Sequence, residues 1–342
     1  MSTQTSPTSC LCHNCTSEFS SVPAAHVPEG RNLVLTVDGT SNKFGSYNTN
    51  VIELYSRLEA SDKQLNYYNS GVGTIPQQKS TWKSITRKLD SAIDLAIAWN
   101  FEKVIMAAYR WLSERYKPGD RIFLFGFSRG AYQMRVLAAM IEKVGLIQEG
   151  NVEQIPFAFE LYKTEDNARN ASRFKDTFSM KDVGVHFLGV WDTVSSVGLV
   201  GNKILPMTDE WEHIGIFRHA LALDERRVKF IPECVMRKEH FDKAGNQVKF
   251  DEEMTKGKIS VRRLKEVWFA GSHSDVAPLL WMVNEAALAG LLLTQSTVEW
   301  KVRDLETAMP HRSLRGFWWA LEVLPIHRQS RSSRVMSQTS YW

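Results

Sequence analysis

The chain has 342 residues, 43% hydrophobic and 23% charged. That balance is ordinary for a globular protein and excludes wholesale disorder, a collagen-like repeat and a disulfide-dense scaffold. Its 42 basic and 38 acidic side chains leave a formal charge of +4, which gives no electrostatic footprint for nucleic acid.

Residues 1–30 read as an unstructured leader rich in Ser, Thr and Cys. Met1 to Glu29 contains no Lys or Arg and no continuous apolar run, so it lacks the features of a secretory signal or transit peptide. The expectation is an intracellular, cytoplasmic protein. Cys10, Cys12 and Cys15 form C-x-C-x-x-C near His13 and His26. They read either as half a zinc site or lipid-acceptor cluster, or as exposed thiols on a leader unable to bury a core. We take the second reading. Cys234 reads as a small packing residue.

From residue 31 onward, strand and helix patterns alternate. Leu33–Val37 is a short β-branched run ending at Asp38-Gly39. A helix is expected over Asn50–Leu58 and a strand over Leu65–Asn69. Gly71-Val72-Gly73-Thr74 follows without the Lys-Ser/Thr ending of a nucleotide-binding loop. Residues 82–116 hold one or two helices, with Val104, Ala108 and Leu112 at four-residue spacing. Ile122–Phe127 is a continuous apolar strand, and Tyr132–Val144 a helix. Val185–Trp191 and Val267–Phe269 are further strands. Leu279–Leu293 is a helix too short, and too interrupted by Asn284 and Glu285, to span a bilayer. Such alternation predicts an α/β fold with a mostly parallel central sheet and helices on both faces. Residues 146–182 and 234–260 are polar and weakly periodic, and read as inserted cap segments. Residues 327–342, with Arg328, Arg331 and Arg334, read as a disordered basic tail. One catalytic domain over 31–326 is therefore expected.

The most specific chemical signal is Gly126-Phe127-Ser128-Arg129-Gly130, with an apolar strand before it and a helix after it. G-x-S-x-G in that context is a nucleophile elbow. Small residues on both sides allow the sharp turn that exposes Ser128. The following helix points its N-terminus at the site, and the backbone N–H of Arg129 is expected as an oxyanion donor. A serine needs a base, and the base needs an orienting acid, in the order Ser…Asp/Glu…His. Asp192 ends the apolar strand Val185–Trp191 and is the expected acid. His273 follows a late strand in the loop Ala270–Asp275 and is the expected base. His219, in a run that reads as helical, and His311 are weaker alternatives. A second oxyanion donor is expected from Gly39 or Thr40. Asp38 orders that loop or pairs with Arg129, and Asp275 supports the histidine loop. No metal and no cofactor are required by this set.

These motifs together resemble a known family. Arg31–Thr40, Tyr67–Thr74, Gly126–Ala131, Val190–Val194, His219–Arg227 and Trp268–Val276 occur in the order of the α/β-hydrolase domain of type 1 phospholipase effectors of type VI secretion. The resemblance covers about residues 31–325. It implies an α/β-hydrolase fold, a Ser128–Asp192–His273 triad and ester hydrolysis of the phospholipase or lipase type through an acyl-enzyme. The partner implied is an ester or phospholipid substrate; Trp281, Trp318 and Trp319 read as an apolar acyl pocket, as an interfacial patch for transient membrane-surface contact, or as ordinary helix packing. A soluble-ester esterase and a non-catalytic binding module on the same scaffold are the alternatives. The sequence leaves oligomeric state open. Two departures stand out: Ser41 follows Asp-Gly-Thr where the family has Trp or Gln, and Ala277-Pro278 replaces a glycine pair after His-Ser-Asp-Val.

Overall fold

The computed structural model describes residues 30–39, 48–71, 88–164, 167–194, 205–227, 232–235, 263–273, 278–294, 326–332 and 335–341. Six parallel strands form the central sheet in the order β2-β1-β3-β6-β7-β8. They are β1 (Asn32–Val37), β2 (Gln64–Asn69), β3 (Arg121–Phe127), β6 (Val185–Trp191), β7 (Ile214–Ala222) and β8 (Leu264–Phe269). This is the α/β architecture, a parallel central sheet, that the alternation predicts.

The strands are apolar on both faces because both are covered. Successive side chains point to opposite sides of a sheet. Leu33, Leu35 and Val37 of β1 and Ile122 and Leu124 of β3 join one core cluster. Val34, Phe123, Phe125 and Phe127 join the other. The first face is covered by α2 (Lys88–Arg115), α3 (Arg129–Val144), α4 (Ile155–Lys163) and α5 (Ala168–Phe178). The second is covered by α1 (Asn50–Tyr55) and α6 (Pro278–Leu288). Thr49 caps α1 by accepting the Ile52 N–H at 3.3 Å. Pro278 opens α6, where its fixed φ and missing N–H carry no penalty.

The segment 146–182 is more than a cap. It holds the short strands β4 (Leu146–Ile147) and β5 (Ser179–Met180) around α4 and α5. Ile155, Phe159, Tyr162, Ala171 and Phe174 are buried against α3 and its neighbours. Its polar composition conceals this because α5 buries only Ala171 and Phe174, three residues apart on one face. Of the second expected insertion, 236–260 lies outside the described residues. In the segment expected as a disordered tail, β9 (Ile326–Ser332) pairs antiparallel with β10 (Val335–Tyr341). Two residues separate these strands, so the pairing closes only a short loop.

Strand order reverses between β1 and β3. The chain passes from β1 outward to β2, returns through α2 to β3, then runs on through β6, β7 and β8. In such sheets the crevice beyond the carboxyl ends of the strands at this switch point is the usual ligand site. Ser128 sits at the end of β3, Asp38 at the end of β1 and Asp192 at the end of β6.

Candidate active site

The elbow has the geometry its glycines imply. Ser128 stands between β3 and α3 with φ 56° and ψ −120°, a strained backbone for an L residue that marks functional turns. A Cβ on Gly126 would come within 2.5 Å of Gly130 O and 2.7 Å of the Ala131 Cα. A Cβ on Gly130 would come within 2.5 Å of Asp38 O. The start of α3 therefore lies directly on the ends of β1 and β3, and both glycines are steric requirements. The first turn of α3 carries no acidic residue, so its positive end is not neutralised within the helix. The Arg129 N–H makes no hydrogen bond among the described residues.

The elbow is tied to the turn that carries Asp192. Ser128 N–H donates to Trp191 O at 3.0 Å, and Val194 N–H donates to Ser128 O at 3.3 Å. Asp192 lies between those two anchors with φ 43°. Its N–H donates to Ala220 O at 2.8 Å, and its Oδ1 accepts the Ala222 N–H at 3.2 Å. Its Oδ2 meets Nδ1 of His273, 81 residues further along the chain. The Asp192 and His273 side chains are only 4% and 5% exposed. The His273 ring also packs on Phe127, with centroids 4.7 Å apart. Ser128, Asp192 and His273 thus share one end of the sheet. Ser128 Oγ makes no hydrogen bond to a described residue, and catalytic hydrogen bonds commonly tighten only when substrate is bound.

The loop after β7 holds the histidine loop. Leu223 N–H donates to Phe269 O and Asp224 N–H to Gly271 O, both at 2.9 Å. Asp224 Oδ2 accepts the Gly271 N–H at 2.7 Å, and Glu225 Oε2 accepts the His273 N–H at 3.3 Å. Burial tends to raise the Glu225 carboxyl, but hydrogen bonds from Arg227 outweigh it and hold the group below its ordinary value. These roles for Asp224 and Glu225 were not anticipated. The signal was their place directly after an apolar strand.

The β1 end corrects one expectation. Gly39 N–H donates to the Asp38 carboxylate at 2.6 Å, so it is engaged within its own turn. Asp38 also accepts from Thr49 Oγ1 at 2.8 Å and from the Tyr68 hydroxyl at 3.3 Å. Burial, then the Asp38 charge, pushes the Tyr68 phenol up to about 12. Asp38 therefore orders the β1 end and ties it to α1 and β2. Thr40, the other expected oxyanion donor, and Asp275 lie outside the described residues, as do Trp318, Trp319, His311 and the cysteine cluster. His219 lies in β7 and not in a helix. Cys234 is exposed and not packed in the core. Trp281 packs on Phe269, with centroids 5.4 Å apart.

A shallow cleft lies beside the Asp192–His273 pair, lined by Trp191, Leu221, Phe269 and Pro278 among others. Arg129, half-buried, makes no ion pair or hydrogen bond among the described residues, and burial lowers its guanidinium to about 10. Among the described residues no cluster of His, Cys, Asp or Glu is arranged to hold a metal. Nor is any helix there long and apolar enough to cross a membrane.

A six-stranded parallel α/β sheet with Ser128 in a sharp strand-to-helix turn at its switch point defines the class of fold. Residues 31–300 match the family model described as "T6SS, Phospholipase effector Tle1-like, catalytic domain", and the chain belongs to that family. A curated relative is the uncharacterized protein YEL023C of Saccharomyces cerevisiae, 37% identical over 231 residues. The match covers 62% of this chain and 34% of that protein, so the chain spans about a third of its relative's length. Among solved structures, the Tle1 effector bound to the VgrG spike of the type 6 secretion system is 18% identical, with a TM-score of 0.38. That match covers 77% of this chain and 55% of the effector. An uncharacterized protein from Pseudomonas aeruginosa is also 18% identical, with a TM-score of 0.39, covering 78% and 47% of the two chains.

Proposed function

We propose that this chain is a serine acyl hydrolase of the phospholipase or lipase type, with Ser128 as nucleophile, His273 as base and Asp192 as the orienting acid. The observation that carries the reading is the buried contact of Asp192 Oδ2 with His273 Nδ1, placed beside the strained Ser128 elbow. In the reaction, Ser128 Oγ attacks the ester carbonyl carbon while its proton passes to His273 Nε2. Asp192 stabilises the resulting imidazolium and keeps the other proton on Nδ1. The oxyanion accepts the Arg129 N–H and a second donor from the loop after Gly39, for which Thr40 remains the candidate. His273 returns its proton to the leaving alkoxide, and the carbon–oxygen ester bond breaks. Water, deprotonated by His273, then hydrolyses the acyl-enzyme.

Two features favour a phospholipid over a neutral soluble ester. Arg129 is a partly desolvated cation, without an ion-pair partner among the described residues, directly after the nucleophile. A phosphate on the substrate supplies that partner. Leu223, Trp268 and Leu280 are large exposed apolar residues flanking cleft residues Ala222, Phe269 and Pro278, and they suit transient contact with a lipid surface. The test is hydrolysis of phospholipid vesicles and of a short-chain nitrophenyl ester by wild type and by Ser128→Ala. Loss of both activities in the variant is expected. Turnover of both by the variant would overturn the assignment, and turnover of only the nitrophenyl ester by wild type would favour the soluble esterase.

A further inference from the structure

His219 lies within β7 and has no exposed surface. Both ring nitrogens are engaged. Nε2 lies 3.2 Å from the Thr193 N–H and accepts it. The ring proton is therefore on Nδ1, which donates to Glu266 Oε1 at 3.0 Å. Glu266, on β8, also accepts the Val235 N–H at 3.0 Å. Burial lowers the pKa of His219, which agrees with a neutral ring of fixed tautomer. Nothing in the triad chemistry uses this histidine.

Its partner shows what it does. Thr193 directly follows Asp192, whose positive φ must be held in place. Three points on β7 hold that turn. Two are backbone groups, Ala220 O and Ala222 N–H, and they bind Asp192 itself. Those two would be present with almost any side chains on the strand. The third fixes the next peptide and needs an acceptor on the side chain at 219. An apolar residue there would leave the buried Thr193 N–H without its acceptor and Glu266 without the imidazole donor, although it keeps the Val235 N–H.

We propose that His219, oriented by Glu266, is a positioning residue that locks the Asp192–Thr193 peptide and so aims the Asp192 carboxylate at His273. The inference rests on the hydrolase reading of Ser128, Asp192 and His273. A carboxylate displaced by about 1 Å can cost on the order of 100-fold in rate.

The test compares His219→Met, which fills similar space without a nitrogen acceptor, with His219→Gln, which restores a carbonyl acceptor for Thr193. Nitrophenyl ester kinetics, thermal melting and the downfield proton NMR signal of the His273 Nδ1–H are measured on the full chain. Expected for His219→Met is a fall in kcat of roughly 10- to 100-fold, with KM little changed and the downfield signal lost or shifted. His219→Gln recovers most of the rate and the signal. If His219→Met melts as an unfolded chain, Glu266→Gln takes its place. An amide no longer dictates the tautomer of His219, so kcat falls several-fold in a protein that still melts cooperatively. Wild-type kcat and signal in a folded His219→Met, or in Glu266→Gln where His219→Met does not fold, overturn the proposal. The NMR signal separates the two claims. A wild type that hydrolyses no ester defeats the hydrolase reading, whereas loss of the signal in His219→Met and its return in His219→Gln still support the positioning role.

Discussion

Asp192 Oδ2 and His273 Nδ1 meet in a buried contact across 81 residues of sequence, while the backbone on either side of Asp192 is bonded to Ser128. Asp192 is thus fixed to the Ser128 turn, and His273 to Asp192. Asp192→Asn keeps the shape but presents an amide to Nδ1 and favours the wrong tautomer. On the proposed mechanism kcat falls by about 10⁴-fold, the loss expected for this change in a serine triad. Esterase kinetics beside a melting curve check this, and a loss below tenfold would argue against Asp192 as the orienting acid.

The elbow glycines make a steric prediction separate from catalysis. Gly130→Ala places a Cβ against the Asp38 carbonyl, where backbone must shift. Destabilisation of about 1–3 kcal/mol is expected from overpacking. Gly150→Ala has nothing within 4 Å of its new Cβ, although φ is +88°. Its cost is backbone strain alone, about 1 kcal/mol. Denaturant unfolding of the two variants should rank Gly130→Ala as the more damaging.

Much of this site was legible in the sequence because its signals are local. An apolar run into G-x-S-x-G specifies a strand, a sharp turn and a helix, and Ser128 follows from that alone. Asp192 is readable as the acid immediately beyond an apolar strand, and His273 as the histidine in the loop after a late one. His219 reads as helical in the sequence because Phe217, Ala220 and Leu221 also fit a helical spacing, and a charged Arg218 is rare in a buried strand. Arg218 is accommodated there because Glu285 of α6 accepts its Nε–H at 2.5 Å. That partner is 67 residues away in sequence. The engagement of the Gly39 N–H was equally illegible, since an Asp-Gly pair does not disclose whether its N–H faces the acid or the substrate.

Asp224 gives a test of the clamp on the histidine loop. Asp224→Ala removes the acceptor for the Gly271 N–H, and Gly271 has φ +123°. The loop that carries His273 loosens, and kcat is expected to fall about tenfold, less than for loss of a triad member. Steady-state kinetics at saturating ester measure this, and an unchanged kcat would show that the backbone bonds at Leu223 and Asp224 suffice.

Arg129 separates phosphate recognition from chemistry. Arg129→Met leaves the backbone N–H at the oxyanion in place and removes only the guanidinium. KM for an anionic phospholipid is expected to rise about tenfold or more, with little change for a neutral nitrophenyl ester. Equal effects on the two substrates would instead assign Arg129 to the architecture of the elbow.

Acid stability follows from the buried histidine. The folded-state pKa of His219 lies below its unfolded value, chiefly through burial. Below about pH 6.5 the unfolded chain takes up a proton that the folded ring refuses, so stability falls as pH falls. The slope from this one residue is at most about 1.4 kcal/mol per pH unit. Glu266, also lowered, adds its own loss only near and below the ordinary carboxylate range. Melting curves between about pH 7.5 and about pH 5.5 should therefore show falling stability whose slope is shallower in His219→Gln, with His186 and His213, also lowered by burial, keeping their own share. An identical slope in the two proteins would mean that His219 is not held neutral.

The most direct test of the central claim is labelling of folded protein with a fluorophosphonate probe, with the adduct located by mass spectrometry. A covalent adduct on Ser128 is expected in wild type, and none in Ser128→Ala. The assignment of Ser128 as nucleophile is contradicted if folded wild type is not labelled, or if Ser128→Ala is labelled as fully as wild type.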